Sequence, residues 1–153
     1  MIEEECSAAR RWLPTAAYII LRLQSNIVHK RARMIPKPTS RAVGQQYGWG
    51  DGCQGWHLVR AQNLGVIEEQ MPPGTREQRH WHARARQFFY VLSGTLTLEV
   101  EGVTHILAAR SGIELPPGTA HQAINDTTTA VEFLVISEPP TYGDRHETDA
   151  LPE

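Results

Sequence analysis

Between Gly52 and Ile136 the chain offers strands and turns in close succession, with no stretch patterned as a helix. Short β-prone runs follow one another: Trp56–Arg60, Gly65–Glu69, Gln87–Leu92, Thr95–Val100, Thr104–Leu107 and Val131–Ser137. Between them stand Met71-Pro72-Pro73-Gly74, Ser93-Gly94, Glu101-Gly102 and Pro116-Pro117-Gly118, all residues that set turns. Leu96, Leu98 and Val100 alternate with Thr95, Thr97 and Glu99, the period-two pattern of a strand with one dry face. Many short strands without helical interruption point to a sandwich or a closed barrel, so the expected class is all-β.

The flanks have a different texture. From Met1 to about Arg33, Trp12 and Tyr18 are followed by Ile19, Leu23 and Ile27 at four-residue steps, a short helical leader in outline. Met34 is a plausible alternative start. Pro36, Pro38, Gly44, Gly48 and Gly50 punctuate the next stretch, which reads as a linker or an arm on the barrel surface. The expected division is a leader and linker over 1–40, a barrel with surface arms over 41–145, and a frayed tail over 146–153.

Composition narrows the setting. At 153 residues, one core and one site are the natural expectation. A net charge of −2 argues against nucleic acid as a partner. The longest apolar stretch, Ala16 to Leu21, is far short of the roughly 20 residues needed to span a bilayer, so no membrane association is expected. Glu3, Glu4 and Glu5 are wrong for a secretory signal, and Cys6 and Cys53 make no disulfide framework. A cytoplasmic protein with a small-molecule ligand follows; a homodimer stays open.

Chemistry is concentrated around His80-Trp81-His82. Histidines at i and i+2 of a strand face the same way, so both imidazoles can reach one ion. Gly74 lies six residues before His80, Gln87 five after His82, and Gly94 seven after Gln87. Pro116, Gly118, His121 and Asn125 follow at fixed intervals, with 15 residues, Thr95 to Ala109, between the two groups. Arg79, Arg84 and Arg86 flank the histidine pair and read as a solvated rim, able to draw an anionic ligand toward a metal.

These two groups resemble the signature motifs of the cupin superfamily, and the run from Gln87 to Gly94 is similar to that of small single-domain bacterial cupins. The resemblance covers roughly Trp56 to Ile136. It implies a double-stranded β-helix, the jelly-roll cupin barrel, holding one divalent first-row metal: zinc, iron, manganese, nickel, cobalt or copper. It assigns His80, His82 and His121 as ligands and places Gln87 at the fourth ligand position. Phe89, Val91, Leu96, Leu98, Ile113, Leu115, Phe133 and Val135 would line the barrel, and Asn125 would fix a turn. Trp49, Cys53 and Trp56 are candidates to close its mouth, whereas His29, His57, His105 and His146 match no ligand position.

Two positions depart from the family pattern. Arg110 stands where glycine usually opens the second motif, with Gly112 as a possible substitute for the turn. Gln87 stands where glutamate is usual. Its carbonyl oxygen can bind a metal or hydrogen-bond a bound water, but it is neutral and cannot serve as a base. The family implies a metal-dependent oxygenase, isomerase or cyclase acting on a small organic molecule inside the barrel. A non-catalytic binding or sensor protein is the alternative, and a metal-free barrel requires the histidine spacing to be accidental.

Overall fold

The structure is a computed structural model that describes residues 35–149. The chain divides into two units, Met1–Lys37 and Pro38–Glu153. Of the first, only Ile35, Pro36 and Lys37 are described, as exposed irregular chain. The helix expected before Arg33 lies outside the described residues.

Among its described residues the second unit has twelve strands: β1 (Gln45–Trp49), β2 (Cys53–Arg60), β3 (Gly65–Met71), β4 (Thr75–Arg76), β5 (His80–His82), β6 (Arg86–Ser93), β7 (Thr95–Val100), β8 (Val103–Ala108), β9 (Gly112–Leu115), β10 (His121–Asn125), β11 (Val131–Glu138) and β12 (Arg145–Glu147). They form two antiparallel sheets. One runs β1-β2-β3-β11-β6-β9, the other β12-β5-β10-β7-β8, with β4 also paired to β10. No helix is present among the described residues, and hence none that could cross a membrane. The expected all-β jelly roll is what the chain forms.

Alternation decides which side chains the sheets enclose. Along β11, Val131, Phe133, Val135 and Ser137 are buried while their neighbours are half-buried or exposed. Partners across the pairing continue the pattern: Phe133 faces Val91, and Val135 faces Phe89. With Leu96, Leu98, Leu107, Leu115 and Met71 these close one apolar core, against which Ile113 packs. Complete burial of a side chain such as Phe133 or Leu98 stabilises the fold by roughly 1.5–3 kcal/mol. Every residue expected to line the barrel belongs to this cluster or packs against it.

Two turns carry the corners. Gly94 joins β6 to β7 at φ 77, and a Cβ there would stand 2.7 Å from the Ala130 carbonyl oxygen. Asn125 donates to the carbonyls of Met71, Pro72 and Thr129 and accepts from Thr127, which fixes the turn after β10.

The structure departs from the sequence reading at three places. Residues 45–49, read as part of a surface arm, pair with β2 along their whole length. Residues 145–147, read partly as frayed tail, pair with β5 from Arg145↔His82 to Glu147↔His80. Finally, Gly112 does not supply the turn at the second motif. Arg110 itself takes the left-handed conformation, at φ 71. Gly112 serves close packing instead, because a Cβ there would meet the Phe89 carbonyl oxygen at 2.4 Å.

Candidate metal centre

Strand β5 is only three residues long, and its burial alternates: His80 and His82 are buried and Trp81 is half-buried. Trp81 stacks on His146 of β12, with ring centroids 4.3 Å apart, on the opposite face. His121 opens β10 directly opposite His80 in the antiparallel pairing. The three rings meet: centroids lie 4.3 Å apart for His80 and His121 and 4.9 Å for His80 and His82. One ring nitrogen from each lies within 4.8 Å of the other two.

Hydrogen bonds set the tautomers. Nδ1 of His80 lies 3.1 Å from the Gln78 carbonyl oxygen, Nδ1 of His82 3.0 Å from that of Asp144, and Nδ1 of His121 3.0 Å from that of Thr119. A carbonyl only accepts, so each Nδ1 carries the proton and each Nε2 keeps its lone pair. That is how histidine is prepared as a metal ligand, with the second nitrogen held by an outer partner. Nε2 of His121 is buried with no hydrogen-bond partner among the described residues. A buried acceptor without a partner costs stability, and an ion would satisfy it.

The rings also stay neutral. Burial pushes His80 down to about 3, helped by the nearby charges of Arg145 and His82. Burial pushes His121 down to about 4, with His80 the next cause. Burial lowers His82 as well. Neutral imidazole is the form that binds metal, so the donor set fits a divalent first-row ion.

A cavity of about 490 Å³ opens at this centre, and His80, His82 and Gln87 line it. Gln87 lies on β6, 5% exposed, opposite Ser137 of β11 and Leu115 of β9. The other walls combine Trp49, Phe89 and Val135 with Tyr47, Glu69 and Arg145. Of the aromatic and thiol groups expected at the mouth, Trp49 does line the cavity. Cys53 is buried in the core, and Trp56 is buried beneath the Arg41 guanidinium, 4.4 Å from its ring.

The arginine rim is only partly as expected. Arg79 is buried, not solvated, and pairs with Glu99 at 2.8 Å. Arg84 and Arg86 are exposed and pair with Asp144 and Glu114. The arginines that reach the cavity are Arg76 and Arg145. Arg145 is anchored to Glu77 at 2.7 Å.

Sequence reasoning missed three groups. Asp144 supports His82 through its main chain, while its carboxylate accepts from the amides of Arg84 at 3.0 Å and Ala85 at 2.9 Å. Burial opposes its charge, but the Ala85 and Arg84 amides together hold the carboxyl below its ordinary value. Glu69 and Tyr47 face the cavity from β3 and β1. The only signal for Glu69 was the Glu68-Glu69 pair in a strand otherwise apolar at its start.

Comparison with known proteins agrees with this architecture. The family model described as Cupin domain matches residues 67–137. An oxidoreductase of Arthrobotrys oligospora is 32% identical over 71 residues, 46% of this chain and 28% of that protein. The polyketide synthase CurC of Streptomyces cyaneus is 34% identical over 55 residues, 36% of each chain. This chain thus spans well under half the length of either curated relative. The solved structure of the polyketide cyclase RemF from Streptomyces resistomycificus superposes with a TM-score of 0.66 at 17% identity, covering 76% of this chain and 87% of that one. With the matched region, the two-sheet jelly roll and the three-histidine cluster in one chain, this protein carries a cupin domain, matched over residues 67–137.

Proposed function

We propose that the chain is a metal-dependent cupin enzyme that acts on a small oxygenated organic molecule inside the barrel. The observation that carries this reading is the convergence of three histidines, one ring nitrogen of each within 4.8 Å of the other two, with every Nδ1 held by a backbone carbonyl. His80, His82 and His121 would hold the ion, and Gln87, which lines the same cavity, would be the fourth donor. When bound, a divalent ion supplies Lewis acidity, polarising a carbonyl or enol oxygen. A neutral glutamine leaves more of the ion's charge uncompensated than a glutamate would.

The protein's own walls divide the remaining work. Phe89, Val135, Ile67 and Trp49 exclude water and accept an apolar or aromatic skeleton. Arg76 and Arg145 give that space a positive edge toward anionic oxygen. The names of its relatives, an oxidoreductase, a polyketide synthase and a polyketide cyclase, favour turnover over storage, and oxygen-rich carbon skeletons as substrates. The test is metal analysis of the purified protein followed by turnover assays on enediols, β-diketones and phenols. A metal-loaded protein that turns over one of these classes, with activity lost on chelation and restored by metal, supports the reading. Protein that holds no metal after incubation with each first-row ion contradicts it.

A further inference from the structure

Replacing a carboxylate by Gln87 removes the base that a glutamate at that position could provide, yet the cavity contains a carboxyl elsewhere. Tyr47, Gly55 and Glu69 occupy one row across β1, β2 and β3, as the pairings Tyr47↔Gly55 and Gly55↔Glu69 show. The Tyr47 ring lies over Gly55: a Cβ there would stand 2.4 Å from it. The missing side chain lets the phenol reach across a whole strand, and its hydroxyl donates to Glu69 Oε1 at 2.7 Å. Both residues line the same cavity as His80, His82 and Gln87.

The other acidic groups there are otherwise engaged. Glu77 pairs with Arg145 and lies 3.7 Å from His80 Nδ1, and the Glu147 side chain is 68% exposed. We propose that Glu69, oriented by Tyr47, is the acid/base residue of the cavity and acts on carbonyl compounds with an acidic C–H. This assignment rests on the metal-enzyme reading above. In its ionised form Glu69 takes the proton: the C–H bond breaks, its electron pair enters the enolate, and the proton moves to a Glu69 oxygen. Return of that proton to another carbon or oxygen of the same molecule regenerates Glu69 and completes an isomerisation, with no oxidant or reductant consumed.

The environment suits that task. Burial, and then the charge of Glu77, push Glu69 up to about 8, against the lowering effects of the Tyr47 hydrogen bond and Arg145. A carboxyl in that range both gives and takes protons at neutral pH. Burial raises the Tyr47 hydroxyl well above its ordinary value, so it stays a donor and acts as a positioning residue.

Two measurements on the full-length protein test this. The first is a carbon-13 NMR titration of glutamate carboxyls, with Glu69 assigned by Glu69→Gln. The second is modification by diisopropylcarbodiimide, which adds only to a protonated carboxyl, mapped by mass spectrometry with and without benzoylacetone as an enolisable probe. The expected midpoint for Glu69 is close to 8, and Tyr47→Phe moves it higher because the anion loses a donor. Labelling of Glu69 should fall more than about tenfold from pH 6.5 to 9.5 and slow when benzoylacetone is present. A midpoint in the ordinary carboxylate range of about 4–5 overturns the assignment. So does absent labelling, or labelling that the probe leaves unchanged. A Tyr47→Phe midpoint equal to that of the wild type removes the positioning role. Metal content is assayed on the same samples: metal-free wild type that still gives both Glu69 results contradicts the metal reading and not the carboxyl's identity.

Discussion

His82 donates its Nδ1 proton to the main-chain carbonyl of Asp144, 3.0 Å away and 62 residues later in the chain. The contact ties the histidine pair to the segment that leads into β12, and the Asp144 carboxylate locks that segment onto the amides of Arg84 and Ala85. The site is therefore closed by a part of the chain that carries none of its ligands.

Asp144→Ala should weaken metal binding without touching a ligand. The variant keeps the carbonyl that accepts from His82 but frees the segment that presents it, so the loss should stay within the 10–100-fold, on the order of 1.4–2.7 kcal/mol, that removing an outer partner of a ligating histidine costs. The buried amide of Ala85 and the partly buried amide of Arg84 also lose their acceptor, so stability should drop by roughly 1–3 kcal/mol. Chelator competition and urea denaturation on the two proteins measure these effects. Unchanged affinity would mean that the Asp144 segment does not orient His82.

Acid should remove metal later than free imidazole chemistry alone would suggest. Unperturbed histidine titrates near 6.5, but burial holds His80 at about 3 and His121 at about 4. Retention is expected at pH 5.5, with release as the pH approaches 4. The metal-free protein carries the matching stability change. Its folded histidines resist protons that the unfolded chain accepts, so stability is full above about 6.5 and falls as the pH drops toward those lowered values. Metal retained unchanged at pH 3 would exclude the histidines as ligands.

Glu69 gives the opposite slope. Its folded carboxyl keeps a proton up to about 8, whereas the unfolded one releases it near 4.5. Its contribution to stability is therefore most favourable below about 4.5 and is lost as the pH rises through 8. Denaturation of wild type and Glu69→Gln at pH 6 and pH 9 isolates this term. The wild type should lose stability relative to the variant over that interval, and parallel behaviour would place the carboxyl in water.

How far this was legible in the sequence follows from what periodicity can encode. Strands β6 and β11 could be read because buried and more open residues alternate along them, and β3, β7 and β8 because their β-prone runs are bounded by turn residues. The ligand histidines could be read because i, i+2 spacing and motif intervals are local. Strand β1 could not: Gln45, Gln46 and Gly48 are exposed, and the strand exists through backbone pairing with β2. The same holds for β12, exposed along all three residues, and for Asp144, whose role depends on a carbonyl that every residue has. Arg79 was misread because the glutamate that neutralises it, Glu99, lies twenty residues away on another strand.

Gln87 separates two versions of the centre. If its carbonyl oxygen is a ligand, Gln87→Glu places an anionic oxygen beside the cation and should tighten binding, while Gln87→Leu should loosen it. The glutamate variant should also raise the pKa of bound water and shift any activity optimum upward. Chelator competition on the three proteins side by side decides. Release at one common free-metal concentration would mean a centre of three histidines alone.

The central claim is that His80, His82 and His121 hold one metal ion. Elemental analysis by mass spectrometry of wild type and His82→Ala, loaded and desalted in parallel, tests it most directly. One equivalent of a first-row divalent metal per chain is expected in the wild type. Affinity in His82→Ala should fall by more than the ~10–100-fold that an outer contact costs, leaving the variant largely empty. Equal metal in the two proteins, or none in either, would contradict the account.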